Sequence, residues 1–402
     1  MARPLATSRP GPAPPANDPD SGVTTRILPA VGFSFACYLV IGMLLAILPS
    51  YVHLRLGLST VVAGLVVSAQ YVATVLSRPH AGRMTDALGP KRTVLYGLLA
   101  CTGSGALSLL AAWGDGVRGL GLGSLIAGRL LLGAGESMVA TGATMWGIGR
   151  VGYRHTARVI SWNGIATYGA LAAGAPLGVV LERRWGLASV GAFVVALSLA
   201  SAALALRMNP AAVVHGERMP FRRILWRVTP HGIGLALGGV GFGVIAAFVT
   251  LYYAQRGWSG AALALSVYGV CFIGARLLLS DVIQRFGGFP VAAASFAVEA
   301  VGLALLGLAP ARSAAFAGAA LTGFGFSLVF PALGVEAVRH VPAESRGAAL
   351  GAYTAFVDLS LFVSGPAAGA VIGGYGYPAA FVSAGGAGAL ALGLTLWLSR
   401  RG

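Results

Sequence analysis

The sequence predicts an all-α membrane protein: twelve transmembrane helices in two pseudo-symmetric six-helix halves. Three observations lead there. Only 10% of the 402 residues are charged and 56% are hydrophobic, whereas a soluble domain carries roughly 25% charged residues. A folded chain of this length with so few charges cannot cover itself with water-compatible surface. Apolar runs long enough to cross a bilayer recur along the chain, and short phrases of the first half return in the second at near-constant spacing.

A spanning helix needs roughly 20 apolar residues. Twelve runs meet that length, at 27–51, 59–82, 93–113, 120–147, 159–181, 187–206, 232–254, 261–280, 290–309, 314–337, 347–372 and 380–398, here helices 1 to 12. Residues 1–26 are rich in Pro, Ala, Ser and Asp and are expected to form a disordered cytoplasmic tail. The run from Ile27 follows this long polar stretch and has no small-residue cleavage site, so it reads as a first spanning helix rather than a signal peptide. Residues 27–206 then make the N-terminal half, 207–231 a cytoplasmic linker and 232–402 the C-terminal half. In the linker Phe221, Leu225 and Trp226 share a helical side among arginines. That pattern suits an interfacial helix or an ordinary basic linker.

The repeat is read from order and spacing. Leu132–Val139 aligns with Thr322–Val329 at an offset of 190, where Pro176 also meets Pro366; Gly57-Leu58-Ser59 aligns with Gly257-Trp258-Ser259 at 200, and Arg78 with Arg276 at 198. Two parallel six-helix halves with a site between them is a transporter plan. The 60 glycines agree with close helix packing in lipid.

The net charge of +16 raises the question of nucleic acid, but the basic residues fall in short clusters between apolar runs and form no basic face. No nucleic-acid partner is expected. With the N-terminus inside, 21 of the 28 Lys and Arg lie on inner segments, 6 on outer ones, and Arg129 inside a helix. This bias places both termini in the cytoplasm. Cys37, Cys101 and Cys271 all sit in apolar runs without metal or redox spacing, so neither a disulfide nor a metal site is expected.

After helix 2 comes Gly82-Arg83-Met84-Thr85-Asp86-Ala87-Leu88-Gly89-Pro90-Lys91-Arg92. A glycine, an acid four residues on, a second glycine and a basic pair make a tight cytoplasmic turn. It resembles the signature loop of the major facilitator superfamily, G-x-x-x-D-(R/K)-x-G-R-(R/K)-(R/K), departing at Ala87 and Pro90. The resemblance implies a gating role for Gly82, Arg83, Asp86, Gly89, Lys91 and Arg92. Asp281–Gly288 in the second half is a degraded copy that keeps Arg285 and Gly287. Three further phrases, Leu76–Arg83, Ile160–Gly164 and Phe326–Gly334, are similar to the bacterial YhhS-type branch of that superfamily, whose members are inner-membrane transporters. The resemblance covers helices 1 to 12.

Charges inside a bilayer cost at least about 2.5 kcal/mol each on insertion scales and mark partners or function. Arg129 and Glu136 in helix 4 lie two turns apart on one face, roughly 10 Å along the axis, too far for a direct pair. Each needs a partner on another helix or in a water-filled cavity. Arg129-Leu130-Leu131-Leu132-Gly133 also resembles the superfamily's R-x-x-x-G motif, linked to proton coupling. Helix 11 borders the central cavity in the superfamily, so Asp358 is the second titrating candidate. Helix 9 is peripheral there, which implies a structural role for Glu299.

Gly174, Pro176 and Gly178 in helix 5, and Gly365, Pro366 and Gly369 in helix 11, combine small residues with a kink. They suit pivots for rocking, and equally simple close packing. The helix-5 group resembles the Gly-Pro antiporter motif of drug/proton exporters. Tyr38, Trp162, Asn163, Tyr168, Phe242, Tyr268 and Tyr353 fall on helices expected to line the cavity, where rings and an amide can bind an organic solute.

No nucleotide loop, H-E-x-x-H or G-x-S-x-G appears, so no cofactor, metal or enzymatic activity is expected. The expected partners are a small-molecule substrate, protons and the bilayer, and the chain is expected to be a monomer. The function expected is secondary transport of a small organic solute by alternating access, as proton-coupled efflux. Proton-driven uptake of a sugar or organic acid is the alternative, and an integral-membrane enzyme is the rival from another class.

Overall fold

The fold is seen in a computed structural model that describes residues 22–114, 118–152, 155–211, 221–279, 281–339, 341 and 346–401. Most of the expected tail (1–21) and the centre of the expected linker (212–220) lie outside them. In order come α1 (Val23–Ser50), α2 (Thr60–Leu88), α3 (Pro90–Trp113) and α4 (Arg118–Val151). A helix Thr156–Arg207 is broken at Gly186 into α5 (156–185) and α6 (187–207). Then follow α7 (Phe221–Gln255), α8 (Ala261–Leu278), a short helix Val282–Phe286, α9 (Gly288–Gly307) and α10 (Arg312–Val338). Arg346–Ser399 is broken at Gly376 into α11 (346–375) and α12 (377–399). Among the described residues ten continuous helices are long and apolar enough to cross a membrane, and the two glycine breaks turn them into twelve crossings. Helices are the expected solution, because lipid offers no partner for an unpaired backbone N–H or C=O.

Two segments are more helical than their polarity implies. Gly82–Leu88 continues α2, so the expected turn shrinks to Gly89, which is followed by Pro90 at the start of α3. Proline suits a first helical position, since its missing N–H has no intrahelical acceptor there. That accounts for the departure at Pro90. Phe221–Arg227 is likewise the first two turns of α7, with Ile224 and Val228 buried and Trp226 71% exposed.

The duplication is written in the backbone. Gly89 has φ 86° and ψ 157°, and Gly287, 198 residues on, has 85° and 166°. Gly186 (75°, 179°) recurs 190 residues on as Gly376 (81°, 172°). Gly57 and Gly257 have φ of 68° and 67°. Only glycine enters this region without strain, so each pair marks the same turn built twice.

Packing repeats too. In the first half α1 lies on α5, α2 on α4, and α3 on α4 and α6; in the second α7 lies on α11, α8 on α10, and α9 on α10 and α12. The halves meet chiefly along α2 with α11 and α5 with α8, and more lightly where α1 touches α7. Thr60 Oγ1 donates to the Gly369 carbonyl (3.2 Å), Ser68 Oγ to that of Leu361 (3.3 Å), and Ser266 Oγ to that of Ala172 (2.6 Å). These bonds lie toward the end of the bundle away from the helices' entry and exit at Val23 and Ser399. There Val40–Pro49 of α1 and residues 241–253 of α7 are buried without a break, whereas Ser161–Ile165 of α5 and Thr354–Val357 of α11, nearer the termini, are half-exposed. The bundle is closed at the far end and looser at the near one.

Candidate functional site

Glycine 133 decides how α2 and α4 meet. A Cβ there would run into the backbone carbonyl of Gln70, so only glycine lets the helices touch. That approach brings the Glu136 carboxylate within reach of α2. Its Oε2 accepts from Gln70 Nε2 (2.7 Å) and Thr74 Oγ1 (3.1 Å). Arg129, on the same face, reaches α2 as well, where Nη2 donates to the Val67 carbonyl (3.1 Å) while Nε and Nη1 have no acceptor. Both groups are buried, and both find partners on another helix, as two-turn spacing requires. Among the described residues Glu136 has no ion-pair partner; neutral donors hold it. Gln70 and Thr74 were not singled out in the sequence, although an amide and a hydroxyl four residues apart in an apolar run were the available signal.

Asp358 forms a bidentate ion pair with Arg78. Arg78 Nε and Nη2 both donate, the second to Oδ1 at 3.0 Å. The pair joins α2 to α11 and so ties one half to the other. Arg78, inside the 59–82 run, is one of the 21 cations counted on the inner side in the topology reading. It is an interior residue of α2, with its side chain 17% exposed. Its repeat mate Arg276 lies inside α8, donates from Nη2 to the Ser327 carbonyl (3.1 Å) and sits over the Phe272 ring at 5.0 Å. Their matching positions in two apolar runs were the signal. Removing both from the inner count leaves the arginine bias intact. Glu299 is fully buried against Gly238 and Gly241 of α7, facing into its half rather than outward.

The aromatic residues do not form one surface. Tyr168 of α5, Phe242 of α7 and Tyr268 of α8 converge where the halves meet, with Phe272 stacked on Tyr168 at 3.6 Å between centroids. Beside them Gly42 and Leu45 help enclose a cavity of about 10 Å³, space for one water. Tyr38 is half-buried on α1. Trp162 packs instead with Val23, Ile27 and Val31 of α1, and Asn163 Nδ2 donates to Thr144 Oγ1 on α4 (3.0 Å). Tyr353 is buried within the second half and donates to the Phe330 carbonyl (3.2 Å).

At the α2–α3 corner Gly82 and Asp86 are half-buried and Arg83 and Arg92 exposed. Lys91 Nζ donates to the carbonyls of Leu206 and Met208 (2.8 Å each). A cation at a helix C-terminus meets free carbonyls and the negative end of the dipole. Lys91 thereby fastens α3 to α6.

The two proline–glycine groups face different neighbours. Gly174 and Gly178 rest on Leu39 and Met43 of α1, inside one half. Gly365 and Gly369 rest on Gly64 and Thr60 of α2, across the halves. Shared spacing did not mean a shared face, because the glycines of helix 11 are offset by one residue from those of helix 5.

A family model described as Major Facilitator Superfamily matches residues 31–363 and, in a second match, 232–402. An uncharacterized MFS-type transporter of Burkholderia mallei is 56% identical over 94% of this chain and 93% of its own length. Another, of Pseudomonas aeruginosa, is 57% identical over 97% of each chain. Among solved structures, the human organic anion transporter MFSD10 superposes with a TM-score of 0.70 at 16% identity, covering 92% of this chain and 99% of its own. A mutant of the nucleoside transporter NupG gives 0.72 at 15%, with the same coverage. At such identities these two structures bear on the fold alone.

Proposed function

Because the chain belongs to the Major Facilitator Superfamily and is therefore a membrane transporter, we propose that it exports a small organic solute in exchange for protons by alternating access. The observation that carries the proton coupling is the setting of Glu136. A buried carboxyl group held only by a neutral amide and a hydroxyl can exchange its proton without breaking an ion pair. Gln70 and Thr74 lie on α2, the helix that also holds Arg78 against Asp358. A change in how α2 sits against α11 reaches both carboxylates. The solute passes between the halves, near Tyr168, Phe242 and Tyr268. Gly82–Arg92 acts at the gate, and the glycines around Pro176 and Pro366 let their helices bend. The protein lies in the bacterial inner membrane with both termini in the cytoplasm, the side that the arginine bias selects. The loose end of the bundle is then the cytoplasmic one, and the structure an inward-facing state. Export is favoured over uptake by the glycine–proline group of α5.

The experiment is Glu136→Gln in everted vesicles, with a substrate panel and a pH-sensitive dye. Glutamine keeps size and hydrogen bonding but cannot titrate. Substrate-dependent proton movement and accumulation against a gradient should both vanish, while exchange down a gradient survives. Uphill transport at the wild-type rate with an unchanged pH profile would make Glu136 structural and move the coupling role to Asp358.

A further inference from the structure

Arg276 is the second half's copy of Arg78, but it lacks the acid its counterpart has. Across the first boundary, Arg78 of α2 meets Asp358 of α11. Across the second, the helices are α8 and α5, and the residue at Asp358's repeat position is Tyr168, 190 earlier. Tyrosine supplies no carboxylate. Arg276 donates one bond to the Ser327 carbonyl, and its Nε is buried without an acceptor. No acid among the described residues lies within ion-pair distance of it. Its guanidinium rests against the bare backbone of Gly164 on α5, where any Cβ would strike it. Gly164 belongs to the half-exposed stretch of α5, and the stacked rings of Tyr168 and Phe272 lie alongside.

Arg276 is half-buried, and its Nε is sealed from solvent with no acceptor; an unsatisfied charged donor of this kind is expensive. Such groups persist in membranes where they pair or work. The planar fork of arginine matches a carboxylate or phosphonate in two-point contact, and the adjoining rings offer a flat surface to an organic body. We infer that Arg276 is an anion-binding residue, and that the solute is a small organic anion whose acid group sits at Arg276 as Asp358 sits at Arg78. This rests on the transporter reading and narrows its substrate class. It also gives the broken symmetry a use: one boundary carries its own ion pair, and the other completes its pair with cargo.

The test is thermal melting of the purified full chain in nanodiscs. Benzoate, succinate and phenylphosphonate are compared with benzamide and succinamide, and with chloride and inorganic phosphate. At least one organic anion raises the melting temperature, and its neutral amide and the inorganic ions do not. Arg276→Gln raises the half-saturating concentration by about tenfold or more, the scale of a lost charge-assisted pair. Arg276→Lys keeps part of the response, so that loss of folding is not mistaken for loss of binding. Tyr168→Asp, which rebuilds the missing acid, removes the response. Equal effects of acids and amides, no response to any of the organic anions, or an unchanged response in Arg276→Gln each overturn the inference. Binding is read without transport, so the two readings fail separately. Anion binding at Arg276 without vesicle transport removes the coupled-export reading. Transport of a neutral solute that is indifferent to Arg276→Gln removes this one.

Discussion

Arg78 and Asp358 carry opposite charges on opposite halves, so parting α2 from α11 separates a desolvated ion pair. Removing one partner of a buried pair typically costs about 3–5 kcal/mol, because the other charge is left uncompensated, whereas replacing both with apolar groups is often neutral. Asp358→Asn is therefore expected to lower the melting temperature clearly in detergent. Arg78→Leu combined with Asp358→Leu should recover most of the loss, with transport impaired in both. Equal destabilisation of the single and double variants would mean that the pair does not govern the contact. The sequence exposes Arg129, Glu136 and Asp358, because a charge in an apolar run is visible from composition alone. It does not expose the pairings. Those depend on which helix faces which and by how much each is rotated, and hydropathy fixes neither. Arg78 counts as an inner cation in the sequence because it stands four residues from the inner limit of its run.

Elements are positioned by glycines that bear on specific backbone atoms. At Gly365 a Cβ would lie 2.8 Å from the Gly64 carbonyl oxygen, at the closed end of the α2–α11 boundary. Gly365→Val must push these helices apart, and overpacking of this kind costs about 1–3 kcal/mol. Every 1.4 kcal/mol shifts an equilibrium about tenfold. A cysteine at Ala368, 5% exposed on the same helix, should then react with an external maleimide about tenfold faster. An unchanged rate would show that the closed end does not depend on this contact. Twelve runs, the repeat and its offsets are all legible in the sequence, because hydrophobic length and glycine spacing are local properties. Helix ends are not. Gly82–Leu88 is polar because it leaves the hydrocarbon, not because it leaves the helix, and composition reports only the first.

The whole molecule has two main boundaries between its halves, α2 with α11 and α5 with α8, and two ends, of which only the far one is closed. A twelve-helix chain returns its C-terminus to the side of its N-terminus, so reporters fused to either terminus should both give a cytoplasmic signal. A periplasmic signal from one of them would remove a crossing or add one. Alternating access demands more, namely that the closed end open during each cycle. Thr60 Oγ1 donates to the Gly369 carbonyl there, and a Cβ on Gly369 would fall 2.9 Å from the Thr60 carbonyl oxygen. Cysteines at Thr60 and Gly369, in a chain with Cys37, Cys101 and Cys271 replaced by alanine, are close enough for a short thiol cross-linker. Linking them holds α2 to α11 at the far end and leaves the near end free. Solute should still bind from the cytoplasmic side, because the half-exposed stretches of α5 and α11 are untouched, but transport should stop and return on reductive cleavage of the linker. The uncross-linked double variant provides the control for the substitutions themselves. Transport at an undiminished rate in a fully cross-linked sample would mean that the far end never opens, and rocking of the halves could not be how solute crosses.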